Sequence, residues 1–252
     1  MAKIIKKGND LEKEFVLYQN QIKQKGLYAL LFFFISIISS AVCALTNQIR
    51  LLILPFILWI ITIIFIKTAV TVKQKMNILQ SGIEGEYLTN SQISSLPETY
   101  TAFRNLTVTY NHKSSELDTL IIGPTGVFVV ETKNLNGTIT GNISEHNWIQ
   151  HKIGRAGTPY SKTFYSPVKQ VNTHIYRIAN FLKENGIRTY INAIVYFSNI
   201  DTTVSISGSD EKTHIFFAKN DGANQMLQHI LNNNQQLSEA DCNKIIDLLN
   251  NA

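Results

Sequence analysis

Two apolar stretches dominate the first third of the chain. Leu27 to Leu45 carries serines but no charge, and Leu51 to Ile66 is apolar again, extended past Lys67 by Ala69, Val70 and Val72. Each approaches the roughly 20 residues that a helix needs to cross the hydrocarbon core of a bilayer. The runs Phe32-Phe-Phe-Ile-Ser-Ile-Ile38 and Ile57-Leu-Trp-Ile-Ile-Thr-Ile-Ile-Phe-Ile66 are apolar on every side, which argues against an amphipathic helix packed on a soluble core. The link Thr46-Asn-Gln-Ile-Arg50 leaves room only for a tight hairpin. A secretory leader accounts for one such run but not for two in succession. The pattern therefore predicts two transmembrane helices, Leu27–Thr46 and Arg50–Val70. Pro55 is expected to bend the second, and Trp59 to meet lipid or packing neighbours.

Elsewhere the pattern is that of a soluble α/β protein. Lys6 to Gln24 is a polar stretch with Leu11, Phe15 and Tyr18 on one helical face, suited to a membrane surface. Met76, Leu79, Ile83 and Tyr87 make Val72 to Ser95 a helix that Pro97 closes. Three strands follow, Tyr100–Asn111, Ser115–Ile122 and Val127–Lys133, with short ones expected at Gly137–Ile143 and Asn147–His151. Gly154–Tyr165 reads as a loop. Ser166-Pro167 opens a helix whose stripe is Val168, Val171, Ile175, Ile178 and Leu182, and Asn185-Gly186 ends it. Tyr190–Phe197 and His214–Ala218 are strands, and Gly222–Leu231 and Ser238–Leu249 are helices. Mixed order of this kind predicts an α/β or α+β fold with a mixed central sheet. The chain then divides into a lead-in (Met1–Gly26), a membrane hairpin (Leu27–Val72), a main soluble domain (Met76–Ile200) and a completing segment (Asp201–Ala252).

Charge adds orientation. Lys3, Lys6, Lys7, Lys13, Lys23 and Lys25 precede the first span and Lys67, Lys73 and Lys75 follow the second, whereas the connecting loop holds only Arg50. The positive-inside rule then puts both termini of a two-span protein in the cytoplasm. Part of the net charge of +5 serves that topology and anionic lipid headgroups, so it says little about nucleic acid. Cys43 and Cys242 make neither a disulfide framework nor a zinc site.

Asp118, Glu131 and Lys133 stand at strand positions in the strand pair Glu116–Asn134. Glu131 and Lys133 share a strand face, and a hairpin loop over Gly123-Pro-Thr-Gly126 sets Asp118 across from Glu131. Charges at strand ends ordinarily face solvent. The unbroken apolar run Val127–Val130, however, marks a strand buried on both faces. Opposed carboxylates destabilise a plain sheet, and a divalent cation with oxygen ligands between them would offset that repulsion.

Seven segments in order carry a resemblance: Gly85-Glu86, Glu116-Leu-Asp118, Gly126-Val-Phe-Val-Val-Glu-Thr-Lys-Asn134, Gly137-Thr-Ile-Thr-Gly141, Trp148, Pro167-Val-Lys-Gln170 with His174, and Val195-Tyr-Phe-Ser-Asn199. Together they resemble the nuclease-related domain, NERD, of the PD-(D/E)xK restriction-endonuclease-like superfamily. That resemblance implies a restriction-endonuclease-like mixed central sheet flanked by helices, here preceded by the transmembrane hairpin. It implies Asp118 and Glu131 as ligands of Mg²⁺ or Mn²⁺, with Glu131 also touching the attacking water. Lys133 would orient that water or stabilise charge on the phosphate, Glu86 would supply a further carboxylate, and Gln170 would reach in from the helix. Leu117 stands where the superfamily name has proline.

The implied activity is metal-dependent hydrolysis of phosphodiesters, in DNA before RNA, by a membrane-anchored domain facing the cytoplasm. The alternative is a catalytically silent tether that binds nucleic acid or protein. Many nucleases of the superfamily pair, and a homodimer is one arrangement the sequence leaves open. Lys152, Arg155, Lys162 and Lys169 are candidate phosphate contacts against an ordinary solvated surface. His151 and His174 are read first as surface or packing histidines, and Trp148 as a core aromatic.

Overall fold

The structure is a computed structural model that describes residues 1–8, 10–46, 52–154 and 157–251; the expectations placed on Arg50 and Arg155 lie outside the described residues. The chain forms two compact units, one of Asp10–Ile83, the other of Met1–Asn9 together with Glu84–Ala252.

The first unit is a helical pair, α1 (Asp10–Thr46) and α2 (Ile53–Ile93), the last turns of α2 belonging to the second unit. Both helices are long and apolar enough to cross a membrane. Their buried positions are few: Ala29, Ser36 and Cys43 recur every seventh residue on α1, and Leu58 and Thr62 are buried on α2. Small residues on such a seam let backbones approach. The hydroxyls of Ser36 and Thr62 donate to Phe33 O and Leu58 O, so neither is orphaned in apolar surroundings. Phe34, Ile38, Phe56, Trp59 and Ile64 all point outward, as a lipid-facing surface requires. Pro55 lies in the first turn of α2, where no intrahelical hydrogen bond is lost, so the expected bend has no cause there. The helix read from Val72 onward is a continuation of α2.

The second unit is a mixed α/β domain. Its main sheet is built from β1 (Lys3–Lys6), β2 (Thr101–Tyr110), β3 (Lys113–Gly123), β4 (Gly126–Lys133), β8 (Ile191–Phe197) and β10 (Thr213–Phe217), in the order β1-β2-β3-β4-β8-β10. The strands β2, β3 and β4 form an antiparallel meander; β1, β8 and β10 join in parallel. Asn111 and His112, both at positive φ, make the tight β2–β3 turn. A smaller sheet, in the order β7-β6-β5-β9, contains β5 (Gly137–Asn142), β6 (Asn147–Ile153), β7 (Pro159–Tyr165) and β9 (Thr202–Ser207). The remaining helices are α3 (Pro167–Glu184), α4 (Gly222–Leu231) and α5 (Glu239–Asn250).

The main sheet is apolar on both faces. One face packs Phe103, Leu120, Val129 and Val195 against Val171 and Ile178 of α3 and Ile245 of α5. The other packs Ile121, Phe128, Val130 and Ile194 against Ile93 of α2 and Met226 and Ile230 of α4. Ser166 caps α3 by accepting from Lys169 N, and Pro167 occupies the first turn, where its missing N–H costs nothing.

Three elements differ from the sequence reading. Pro159–Tyr165 is a strand, not part of a loop: Phe164 pairs with Trp148 and meets it edge-on at 6.4 Å. Strand β9 is short and Thr/Ser-rich, with no run long enough to announce it. Most consequentially, β1 belongs to the sheet. Lys3 pairs with Thr101 and Lys6 with Arg104, so Lys3–Lys6, where no element was expected, is an edge strand, whereas the expected helical lead-in is helical from Asp10 onward as the first turns of α1.

Candidate active site

The ladder between β3 and β4 ends at Thr119↔Val130. The next residue on each strand is a carboxylate, Asp118 and Glu131. Beyond that point the strands part, and Asp118 Oδ2 accepts a hydrogen bond from Thr132 N at 2.8 Å. Glu131 ends the buried run of β4 at 1% exposure. Its Oε1 accepts from Lys133 Nζ at 2.6 Å, and Lys133 Nζ also donates to Gln170 Oε1 of α3 at 3.0 Å. Two residues apart on a strand, Glu131 and Lys133 share the face covered by α3, which brings Gln170 to the same ammonium.

From the other face, α2 contributes Glu86. Its Oε2 accepts from Asn105 Nδ2 of β2 at 2.9 Å. Asn90, one turn on, donates to Glu86 O at 2.6 Å and accepts from Thr119 Oγ1 at 3.2 Å, fastening the helix to β3. The structure thus joins Glu131, Lys133 and Gln170 through the Lys133 ammonium and sets Asp118 beside them on the Thr132 N–H, with Glu86 close enough to act on its charge.

The electrostatics split the two central carboxylates. Burial first, then the charge of Glu131, holds the Asp118 carboxyl well above the usual carboxylate range; Lys133 and the Thr132 N–H offset only part of this. Burial pushes Glu131 the same way, but Lys133 and then His174 outweigh it, and its carboxyl falls below the ordinary value. Burial also raises Glu86, against the hydrogen bond from Asn105 and the nearby Arg104. Lys133 is raised, because Glu131 and Asp118 together outweigh the burial of its ammonium. The pair therefore favours charge on Glu131 and a proton on Asp118, one that a bound cation would displace.

His174 is the residue the sequence undervalued. It is 7% exposed and sets Nε2 3.3 Å from Glu131 Oε2, without the alignment of a hydrogen bond, so Glu131 Oε2 is buried with no hydrogen-bond partner among the described residues. The signal that could have found it is its place one turn beyond Gln170 on α3. Arg104 and Asn105 were missed because nothing in a threonine-rich strand marks them.

Other candidates lie elsewhere in role. His151 bridges Thr140 and Ser161 on an exposed strand face. Trp148 is fully buried, stacks on Phe197 at 6.4 Å and donates to Asn142 O. Lys152 and Lys162 sit on adjacent strands of the β6–β7 ribbon, close enough that burial and then Lys162 depress the Lys152 ammonium. Lys169 lines a cleft of about 340 Å³ with Asn142, Asn172 and Asp210.

Among the described residues no three His, Cys, Asp or Glu side chains are gathered closely enough to hold a metal by themselves. A hard cation asks for less. Mg²⁺ commonly takes one or two carboxylates and completes its shell with water. The donor set of Asp118 and Glu131, with one buried carboxylate oxygen unclaimed by any hydrogen bond among the described residues, fits that requirement.

Fold and cluster together define a mixed α/β domain with an acidic–lysine centre at the mouth of a strand pair. Residues 81–198 match the nuclease-related domain, NERD, a stretch just under half of the chain. A Bacillus anthracis protein described as uncharacterized is 36% identical over 92 residues, a match that covers 36% of this chain and 43% of that one. The chain thus spans under half the length of this relative. No solved structure matches.

Proposed function

We propose that the protein is a membrane-anchored nuclease whose cytoplasmic domain hydrolyses phosphodiesters, in DNA before RNA, with a divalent cation at Asp118 and Glu131. The observation that carries this reading is the convergence of Asp118, Glu131, Lys133 and Gln170 where β3 and β4 part, with Glu131 Oε2 unclaimed by any hydrogen bond among the described residues. A cation bound there would lower the pKa of a coordinated water and offset charge on the phosphate. Glu131, kept ionised by Lys133 and His174, is suited to accept a hydrogen bond from that water. Lys133, once released from Glu131 by a competing cation, has an ammonium free to stabilise the developing negative charge, and Gln170 holds it in place. Lys152 and Lys162 on the β6–β7 ribbon suit contact with a phosphate backbone, beside the exposed Tyr160.

The anchoring is supported by the sheet. Residues Lys3–Lys6 and Thr101–Arg104 pair directly, so the two ends of the helical segment between them must share a compartment. A chain that crosses a membrane on α1 and recrosses on α2 meets that condition, and the lysine distribution favours the cytoplasm.

A second reading is a tether that binds nucleic acid without cutting it. It is favoured by the internal neutralisation of the cluster, in which Lys133 is already committed to Glu131 and Gln170.

The deciding test places the full chain in lipid nanodiscs with linear, circular and single-stranded DNA, under Mg²⁺, Mn²⁺ or chelator, beside Asp118→Ala. Metal-dependent cutting lost in the variant supports the nuclease. Intact but gel-shifted DNA, insensitive to chelator, supports the tether.

A further inference from the structure

Asn105 has a backbone that few residues adopt. It sits in the middle of β2 at φ 51°, in the left-handed region, and is 6% exposed. Asparagine tolerates this conformation better than most residues, yet a buried non-glycine in the centre of a strand still stores strain.

The ladder shows what the strain does. Arg104 pairs with Thr119 and Leu106 with Leu117, so Asn105 lies across from Asp118 at the one position the β2–β3 pairing skips. Phe103, Leu106 and Val108 then all reach the same apolar cluster, although residues 103 and 106 of a regular strand would face opposite ways. The left-handed residue rolls the strand, and its own side chain is spent on the acidic cluster, Nδ2 donating to Glu86 Oε2. A residue serving packing alone would have no need of that partner.

The segment ahead of the membrane helices holds this residue in place. Lys7 N donates to Arg104 O, and Lys7 Nζ donates to Asn250 O at the end of α5. A Cβ on Gly8 would stand 2.7 Å from Asn105 O and 3.3 Å from Asn105 Cβ, so only glycine lets the chain pass so close.

We infer that Asn105 is a positioning residue that sets Glu86 against Asp118 and Glu131, and that the Lys3–Gly8 strap fixes Asn105 in the conformation this requires. The inference rests on the reading of the cluster as a divalent-cation site. It ties the site to a segment separated from the rest of the domain by the entire helical hairpin, so the centre is complete only when the strap is paired.

The test is Mn²⁺ affinity of the full chain in nanodiscs, followed by electron paramagnetic resonance of free Mn²⁺, beside thermal unfolding. Asn105→Gly keeps the left-handed backbone at little cost and removes the donor; its affinity is expected to fall about tenfold, the usual scale for loss of a residue that orients a ligand. Combining it with Glu86→Gln is expected to weaken binding no further than Glu86→Gln alone, a non-additivity that general loosening would not produce. Gly8→Ala, which presses on Asn105 from the strap, is expected to lower affinity in the same direction and serves if Asn105→Gly fails to fold. Wild-type affinity in a folded Asn105→Gly, or additive losses in the double variant, overturns the inference and leaves the cation site standing. Absence of Mn²⁺ binding in the wild type overturns the cation reading itself.

Discussion

Replacing Lys133 by methionine isolates the electrostatics of the centre. The ammonium pairs with Glu131 at 2.6 Å, and Glu131 is 1% exposed, so its removal strands a charge that burial alone would neutralise. Breaking a buried pair from one side typically costs about 3–5 kcal/mol. Here the lysine side chain is 22% exposed, which lets water partly replace it, and His174 remains beside Glu131; the lower end, about 3 kcal/mol, is expected. For a domain of this size that corresponds to a fall of about 6–12 °C in the melting temperature. The assay is thermal unfolding of the full chain in nanodiscs at neutral pH with chelator, read by near-ultraviolet circular dichroism, whose aromatic signal includes Trp148 in the core. Glu131→Gln in the same background should restore most of the loss, because the stranded charge is then gone. A Lys133→Met protein that melts with the wild type, or a double variant less stable than the single, would refute the reasoning.

Three further outcomes are expected. Asp118 keeps a proton that the unfolded chain has already released, so with chelator present stability should fall as pH rises from about 3.9 through its raised folded value, at up to about 1.4 kcal/mol per pH unit. Asp118→Asn should flatten that slope in denaturant titrations, and an unchanged slope would place the proton elsewhere; the depressed Glu131 acts in the opposite sense, with stability lost only as pH falls below the ordinary carboxylate range. Gly141→Ala puts a Cβ 2.5 Å from the Trp148 ring and should destabilise by about 1–3 kcal/mol with a changed tryptophan signal, whereas unaltered unfolding would mean the ring yields freely. Deleting Met1–Lys6 removes an edge strand whose Ile4 and Ile5 pack on the two apolar clusters, at an expected cost of about 2–4 kcal/mol in chemical denaturation; a full-strength sheet without it would deny the strand its role.

Much of the fold was legible because its signals are local. The apolar runs from Leu27 and Leu51 are set by composition alone. The β3–β4 hairpin could be registered by counting from Gly123-Pro-Thr-Gly126, and the pairing Ile122↔Val127 is as expected. The start of α3 was written in Ser166-Pro167. Signals failed where the chain depends on a distant neighbour. The two isoleucines of Lys3-Ile-Ile-Lys6 cannot announce a strand, since their partner lies beyond the hairpin, and β7 hid behind Gly157 and Pro159 because its Phe164 is apolar only for the sake of Trp148.

The same division runs through the candidate site. Asp118, Glu131 and Lys133 are neighbours by strand periodicity and hairpin register, which sequence spacing determines by itself. Glu86, Gln170 and His174 reach the cluster from helices on opposite faces of the sheet, and only tertiary packing decides which face of each helix turns inward. The opposite shifts of Asp118 and Glu131 are likewise tertiary properties: the two side chains have the same chemistry, but burial and the charge of Glu131 prevail at Asp118, whereas Lys133 and His174 outweigh burial at Glu131. Asn105 is the extreme case, since its left-handed backbone lies against Gly8 and its side chain on Glu86, neighbours that nothing in the local sequence supplies. Sequence determines which groups can be charged and how often they recur along an element; the energy of each charge depends on neighbours that only the folded chain brings within a few ångströms.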